Sequence, residues 1–373
     1  MNILFVVGRL TGGGAERVCA SLANGLSNLG HDVTILTSYR TDKDYMVYSN
    51  VCVRYLYDKQ PLSRNIYEKI RNRLYYPLRY TIVLFRILSD HDIDVIINIM
   101  GFYMLNSILV AKLKRVKHIF SDHDACDSPK EYPMSNLDKR QKFYYSRFCD
   151  LTTVLTNRDK KLFGNRKDVV VAPNPLFLTL SENIPSKAKI ILAIGRLDVW
   201  RVKGFDNLII AWSKICNEFP DWKLRIVGDG GDKAKDFLSG IVNMNKARNV
   251  FFAPFCTNVV EEYKNAEVFV LSSRYEGFGL VLTEAMSQRC ACVACDFLGR
   301  QQDIITDGID GLLAKNDDPN HLALQIQKLI QNDELRHEIQ NHSVDNLSRF
   351  SENNIAKLWD GFIKQSKQIE VKQ

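Results

Sequence analysis

Apolar positions along the chain fall into short, nearly unbroken runs separated by longer stretches of three-to-four-residue periodicity. The runs are 3–8, 31–37, 94–99, 118–124, 150–156, 169–172, 190–195, 222–227, 250–255, 266–272 and 289–296. Strands apolar on both faces suit a parallel sheet covered by helices on either side. Between the first two runs, Leu10-Thr11-Gly12-Gly13-Gly14-Ala15-Glu16-Arg17 is a glycine turn opening a helix that Gly30 closes. A strand, a helix and a second strand predict a doubly wound α/β domain.

The pattern runs twice, which suits a 373-residue chain better as two domains than as one. The boundaries expected are 1–178 and 179–354. Pro173-Asn174-Pro175 forms a stiff joint, and the polar stretch 179–189 reads as the linker. Residues 40–92 are less regular. A strand is expected within 45–57, then a basic, aromatic helix over 66–88 that Pro77 interrupts or kinks. Helices are expected over 319–347 and 351–372, and Asp206 can cap the helix that it opens.

An apolar share of 46% and a charged share of 25% are ordinary for a soluble globular protein. No apolar run approaches the length of a membrane span, and the first residues lack the basic region of a signal peptide. Nine cysteines without paired spacing argue for reduced thiols. Cys290, Cys292 and Cys295 could hold a metal, but a buried strand of small residues is the simpler reading. Residues 1–174 carry 26 Lys and Arg against 17 Asp and Glu, a net charge of +9, while the remainder carries −2. A basic half suits an anionic partner such as a membrane surface, or is simply a solvated surface. The helix over 66–88 sharpens this choice. Arg64, Lys69, Arg71, Arg73, Arg79 and Arg86 stand among Tyr67, Tyr75, Tyr76, Tyr80 and Phe85, fitting either a lipid interface or a packed helix with snorkelling arginines. The glycine turn is not a dinucleotide fingerprint, because Arg17 stands where a third glycine belongs and no acid follows the second strand. There is no P-loop, and no nucleic-acid partner is expected.

The chemistry concentrates in Ser273-Arg274-Tyr275-Glu276-Gly277-Phe278-Gly279-Leu280-Val281-Leu282-Thr283-Glu284-Ala285-Met286. An apolar strand precedes it and a helix begins near Leu280. The unpaired N–H groups at such a helix start, around Phe278 to Val281, favour an anion. Glu276 and Glu284 bracket the turn.

Glu-x7-Glu followed by Ala-Met after an apolar strand resembles the signature of retaining glycosyltransferase family 4. Gly13-Gly14-Ala15-Glu16-Arg17 and Gly195-Arg196-Leu197 with Lys203-Gly204 are similar to that family's first loop and donor loop, so the resemblance spans nearly the whole chain. It implies an α/β GT-B fold, two Rossmann-like doubly wound domains facing a central cleft. A nucleotide-sugar donor would bind domain 179–354 and an acceptor domain 1–178, with a C-terminal helix, 355–373, packing back on the first domain. It further implies that Gly13 and Gly14 lie against the donor diphosphate, with Arg196 and Lys203 neutralising it and Gly277, Phe278, Gly279 and Leu280 adding backbone N–H groups. Glu284 would hold the ribose, Glu276 the transferred sugar, and His123, at a strand end, would lie beside it. Asp307-Gly308-Ile309-Asp310-Gly311-Leu312-Leu313 resembles the family's closing hairpin. The implied activity is retaining transfer from a UDP-sugar to a lipid-linked saccharide in bacterial surface polysaccharide synthesis, in the cytoplasm at the inner face of the plasma membrane. No metal or other cofactor is expected: of the three D-x-D triplets, only Asp122-His123-Asp124 is near the implied site. A GT-B epimerase or a non-catalytic nucleotide-sugar binding protein are the alternatives.

Overall fold

A computed structural model describes residues 1–59, 66–129, 133–255 and 258–365; within 66–71 it describes the backbone and the Glu68 side chain only. Two compact units emerge, Met1–Pro175 with the chain from Phe350 onward, and Leu176–Arg349.

The first unit runs β1 (Asn2–Val6), α1 (Gly14–Asn28), β2 (Asp32–Tyr39), β3 (Val51–Tyr57), α2 (Ile66–Asp90), β4 (Val95–Ile99), α3 (Met104–Lys114), β5 (Lys117–Ser121), α4 (Asn136–Phe143), β6 (Leu151–Val154), α5 (Asn157–Leu162) and β7 (Val169–Val171). All pairings are parallel, in the order β3-β2-β1-β4-β5-β6-β7. Leu4 and Val6 pack on Tyr80 and Leu84 of α2 and on Val110 and Ala111 of α3. The C-terminal helix Glu352–Gln365 lies along α1 of the same unit. Its Asp360 pairs with His31 at 2.9 Å, Glu352 takes the Ser21 hydroxyl, and Ala356 fits over Gly25, where an added Cβ would come within 2.7 Å. Residues 366–373, the rest of the helix expected there, lie outside the described residues.

The strand order reverses between β1 and β4, and there a pocket of about 440 Å³ opens beyond the strand ends, lined among others by Arg9, Glu16, Tyr39, Met100 and Phe102. Ligands of open α/β sheets collect at such a switch point. On its rim, Met100 (φ 55°), Gly101 (φ 69°) and Tyr103 (φ 43°) are left-handed, a strained loop for two bulky side chains.

The second unit runs β8 (Ala188–Ile194), α6 (Trp200–Lys203), α7 (Phe205–Ile215), β9 (Lys223–Val227), α8 (Gly231–Met244), β10 (Val250–Ala253), α9 (Val259–Asn265), β11 (Ala266–Leu271), α10 (Leu280–Ser287), β12 (Ala291–Asp296), β13 (Leu312–Lys315), α11 (Pro319–Gln331) and α12 (Asp333–His342). Its parallel sheet has the order β10-β9-β8-β11-β12-β13, with the switch between β8 and β11. Trp212, Leu208, Ile226, Val270, Val293 and Ile326 centre its core.

Several expectations are corrected. Residues 179–189 are no free linker: they are tied to the second unit by Ser181 N–H to Ser287 O (2.8 Å) and by Gln288 and Arg289 side chains on the carbonyls of Thr179, Ser181 and Glu182. Residues 307–313 make no antiparallel hairpin. A turn, with Gly308 N–H on Gly311 O at 2.8 Å, feeds β13, which pairs parallel with β12. Asp206 caps nothing; Gly204 takes that position, and Asp206 is held by Arg274 at 2.6 Å. Pro77 does not interrupt α2, which is helical through it. Cys292 and Cys295 lie on β12 with Cys290 just before it, all three buried, and burial pushes the thiols of Cys290 and Cys295 up to about 11 and about 12. That is the chemistry of a packed strand rather than of reactive thiolates.

Candidate active site

In the second unit, the loops after β8 and β11 bring together most of the residues singled out from the sequence. Gly204 is what allows it. Its φ is +66°, and a Cβ there would lie 1.9 Å from the Ser272 carbonyl oxygen, so the two loops meet at backbone distance and only glycine fits. Ser272 Oγ donates to the Lys203 carbonyl at 2.8 Å. The Lys203 ammonium donates to Glu276 Oε2 at 2.9 Å, and Ser273 Oγ reaches the same oxygen at 3.2 Å. Both ion-pair partners are partly buried, where charges interact more strongly than on an open surface.

Arg274, which the sequence did not single out, stitches this corner. Its guanidinium grips both Asp206 oxygens (2.6 and 3.0 Å), Asp317 and the Arg201 carbonyl, while its own N–H bonds Val202 O. Such a bidentate fork fixes geometry as well as charge. Arg196 behaves differently. Its side chain is 71% exposed and rests on Asp198, an open pair that a stronger anion displaces at little cost.

Gly279, a left-handed residue (φ +95°), stands at the N-cap of helix α10, and no side chain caps it. The dipole and the N–H groups of Leu280 and its neighbours therefore face an uncompensated N-terminus. Gly277 and Gly279 are buried. The Phe278 side chain is also buried, at 3% exposure, so only its backbone can serve a ligand. Glu284, a turn further on, is buried too, and Tyr263 donates to its Oε2 at 3.0 Å. Burial and the adjacent carboxylate hold the Tyr263 phenol well above its usual range, so it stays a donor at neutral pH. Tyr263 left no sequence signal, because the contact spans separate elements.

Gly13, Gly14 and His123 belong to the first unit. Gly13 precedes α1, whose N-terminus has no side-chain cap hydrogen bond; the Glu16 carboxylate folds back to within 2.2 Å of where a Gly13 Cβ would stand. His123 follows β5. Asn174 Oδ1, an acceptor 2.8 Å away, assigns the proton to Nδ1, and Nε2 accepts from Ser121 Oγ at 2.8 Å. Thr153 Oγ1 donates in turn to Ser121 Oγ at 3.0 Å. Asp122 is committed to the buried Lys142 ammonium at 2.9 Å, with further bonds from Cys126 Sγ and Asp124 N–H.

Desolvation lowers His123 to about 4 and buried His118, whose Nδ1 meets Cys149 Sγ at 3.2 Å, to about 3. Both fold as neutral imidazoles, so the unfolded chain binds their protons first. The stability they confer is complete above about 6.5 and is lost as pH falls toward 4 and 3. Urea unfolding should weaken by up to about 1.4 kcal/mol per pH unit for each group across that window. His118→Gln should flatten the slope; an unchanged slope would show that other groups govern acid unfolding.

The two parallel α/β units and their loops define a glycosyltransferase of the GT-B class. Family models for "Glycosyltransferase Family 4" and "Glycosyl transferases group 1" match residues 12–179 and 179–344. The amylovoran biosynthesis glycosyltransferase AmsD of Erwinia amylovora is 27% identical over 371 residues, covering 97% of this chain and 99% of that one. A Campylobacter jejuni α-1,4-N-acetyl-D-galactosaminyltransferase, named for a diphospho-undecaprenol-linked saccharide, is 27% identical over 378 residues, covering 98% and 99%. Among solved structures, TarM superposes with a TM-score of 0.80 at 15% identity over 97% of this chain and 98% of its own. HepE of Anabaena, solved with UDP and glucose, gives 0.76 at 18% over 98% and 100%; both likenesses concern the fold. The chain belongs to glycosyltransferase family 4, and it is an enzyme of that class.

Proposed function

We propose that the protein is a retaining transferase that moves a sugar from a UDP-sugar to a hydroxyl of a lipid-linked saccharide, in the cytoplasm, during assembly of a bacterial surface polysaccharide. The observation that carries this reading is the corner of the second unit where Lys203 pairs with Glu276 just before the uncapped start of α10, with buried Glu284 one turn along that helix. A cation, a helix N-terminus and two carboxylates are what a sugar diphosphate and its ribose require. The UDP bound in HepE and the lipid-linked saccharide named for the Campylobacter relative support the choice of donor and acceptor.

In this mechanism the bond from the anomeric carbon to the β-phosphate oxygen breaks while the acceptor oxygen bonds the same face. The acceptor proton passes to the departing phosphate. Charge grows on the diphosphate, where Lys203, Arg196 and the N–H groups from Gly277 to Leu280 stabilise it. Glu284 accepts from the ribose hydroxyls. Glu276 holds the transferred sugar; His123 could hydrogen-bond a sugar only by giving up Ser121 or Asn174, which engage both of its ring nitrogens.

Thermal-shift screening of UDP-, GDP- and dTDP-sugars, followed by mass spectrometry with lipid-diphosphate saccharides, tests the reading. A UDP-sugar should stabilise the protein, and one acceptor should gain a hexose or N-acetylhexosamine with retained configuration. Donor conversion without any acceptor would replace transfer by epimerisation. Because cationic side chains supply the charge that a metal would, activity should survive EDTA; complete loss restored by Mg²⁺ or Mn²⁺ would overturn that account of phosphate binding.

A further inference from the structure

Helices α2 and α3 lie side by side on one flank of the first unit, joined by Asn106 Nδ2 on Thr81 Oγ1 at 2.8 Å and by Tyr80, which packs on Tyr103 and bonds Ser107. Their inner faces are core. Their outer faces break the amphipathic rule. Leu74, Leu78 and Phe85 on α2 and Leu105, Leu109 and Leu113 on α3 are between 43% and 72% exposed. The spacing, four residues apart along α3 and four then seven along α2, stacks each set into one stripe. The sequence points to the aromatic residues of α2 as the lipid-facing ones, but Tyr80 is fully buried and Tyr76 packs on Tyr57. Of those aromatics Tyr75 and Phe85 are exposed; leucines make up the rest of the exposed stripe, and half of it comes from α3.

The charge along these helices is mainly positive. Helix α2 carries five cations against Glu68 and Asp90 at its two ends, and residues 101–117 carry four cations and no acid. Lys114 lies 4.0 Å over the Phe85 ring, so a basic group borders the stripe directly, and Lys112 lies 5.2 Å over the ring of Phe148. Arg64 lies outside the described residues, as do the side chains of Lys69 and Arg71.

We propose that the α2–α3 flank docks on an anionic lipid bilayer, its leucines entering the headgroup boundary and its cations meeting lipid phosphates. An apolar stripe rimmed by Lys and Arg matches a membrane interface. A second copy of the chain is a poor occupant, because a two-fold contact would set Arg79, Lys112 and Arg115 against a like-charged surface. No described helix is long and apolar enough to cross a membrane.

The flank stands apart from the sugar chemistry, and its test needs neither donor nor acceptor. Vesicles of phosphatidylcholine with about 30% phosphatidylglycerol should co-sediment the protein at about 0.15 M salt, and pure phosphatidylcholine should bind it about tenfold less. Leu78→Glu with Leu109→Glu should reduce binding at least tenfold with UDP affinity unchanged. A Leu109→Trp probe, conservative enough to fold if the double variant does not, should shift its emission to the blue on binding and be quenched by brominated acyl chains. No sedimentation, equal sedimentation of the glutamate variant, or unshifted emission from the Leu109→Trp probe would each overturn the proposal. So would light scattering that shows a dimer which the glutamate pair converts to monomer.

Discussion

Replacing Lys203 by Ala should lower kcat/KM about 100- to 1,000-fold, the usual effect of removing one preorganised donor from a developing anion. The loss has two parts. The ammonium partly neutralises the departing diphosphate, and it also holds Glu276, which would keep only the Ser273 hydroxyl at 3.2 Å. Glu276→Gln separates them, because it removes the partner's charge and leaves Lys203 free to meet phosphate. If Lys203 serves the diphosphate, the Ala variant should bind UDP weakly and uridine normally, whereas Glu276→Gln should leave both unchanged and lower kcat. Lys203→Arg should recover part of the activity, since the charge is retained while its position on the loop closed by Gly204 shifts. Activity of the Ala variant within about threefold of wild type would remove Lys203 from the phosphate site.

What the chain displays openly is whatever its local pattern forces. The central strands β1, β4, β8 and β11 are buried over most of their length on both faces and so appear as unbroken apolar runs. Edge strand β3 mixes buried and exposed positions, which is why its region is hard to place. Lys203, Glu276 and Glu284 are legible because each sits on, or one helical turn past, a glycine-marked strand end. Arg274 and Tyr263 are not, because their value lies in partners 43 to 73 residues away for Arg274 and 21 for Tyr263. The misread turn at 307–313 has the same cause: Gly308 and Gly311 announce a reversal, but whether the next strand pairs with its predecessor or with β12 is settled by the rest of the sheet. Asp206 reads as a cap on local grounds, and the Arg274 guanidinium claims it instead.

Glu284→Ala should weaken nucleotide binding about 10- to 150-fold, since a hydrogen bond to a charged group contributes roughly 1.5–3 kcal/mol. Here the signature is the reverse of that for Lys203: uridine and UDP should lose affinity by the same factor, because the ribose is common to both. Burial complicates the Ala variant, which also strands the Tyr263 hydroxyl 3.0 Å from a lost acceptor and so costs stability as well. Tyr263→Phe supplies the control. It removes the donor but leaves the carboxylate, so it should lower the melting temperature while changing nucleotide affinity far less than Glu284→Ala does. Calorimetry on the three proteins decides. Equal affinity losses in Glu284→Ala and Tyr263→Phe would mean that Glu284 supports the fold of α10 rather than the ribose, and the anion-binding start of that helix would then have to hold the donor through its phosphates alone.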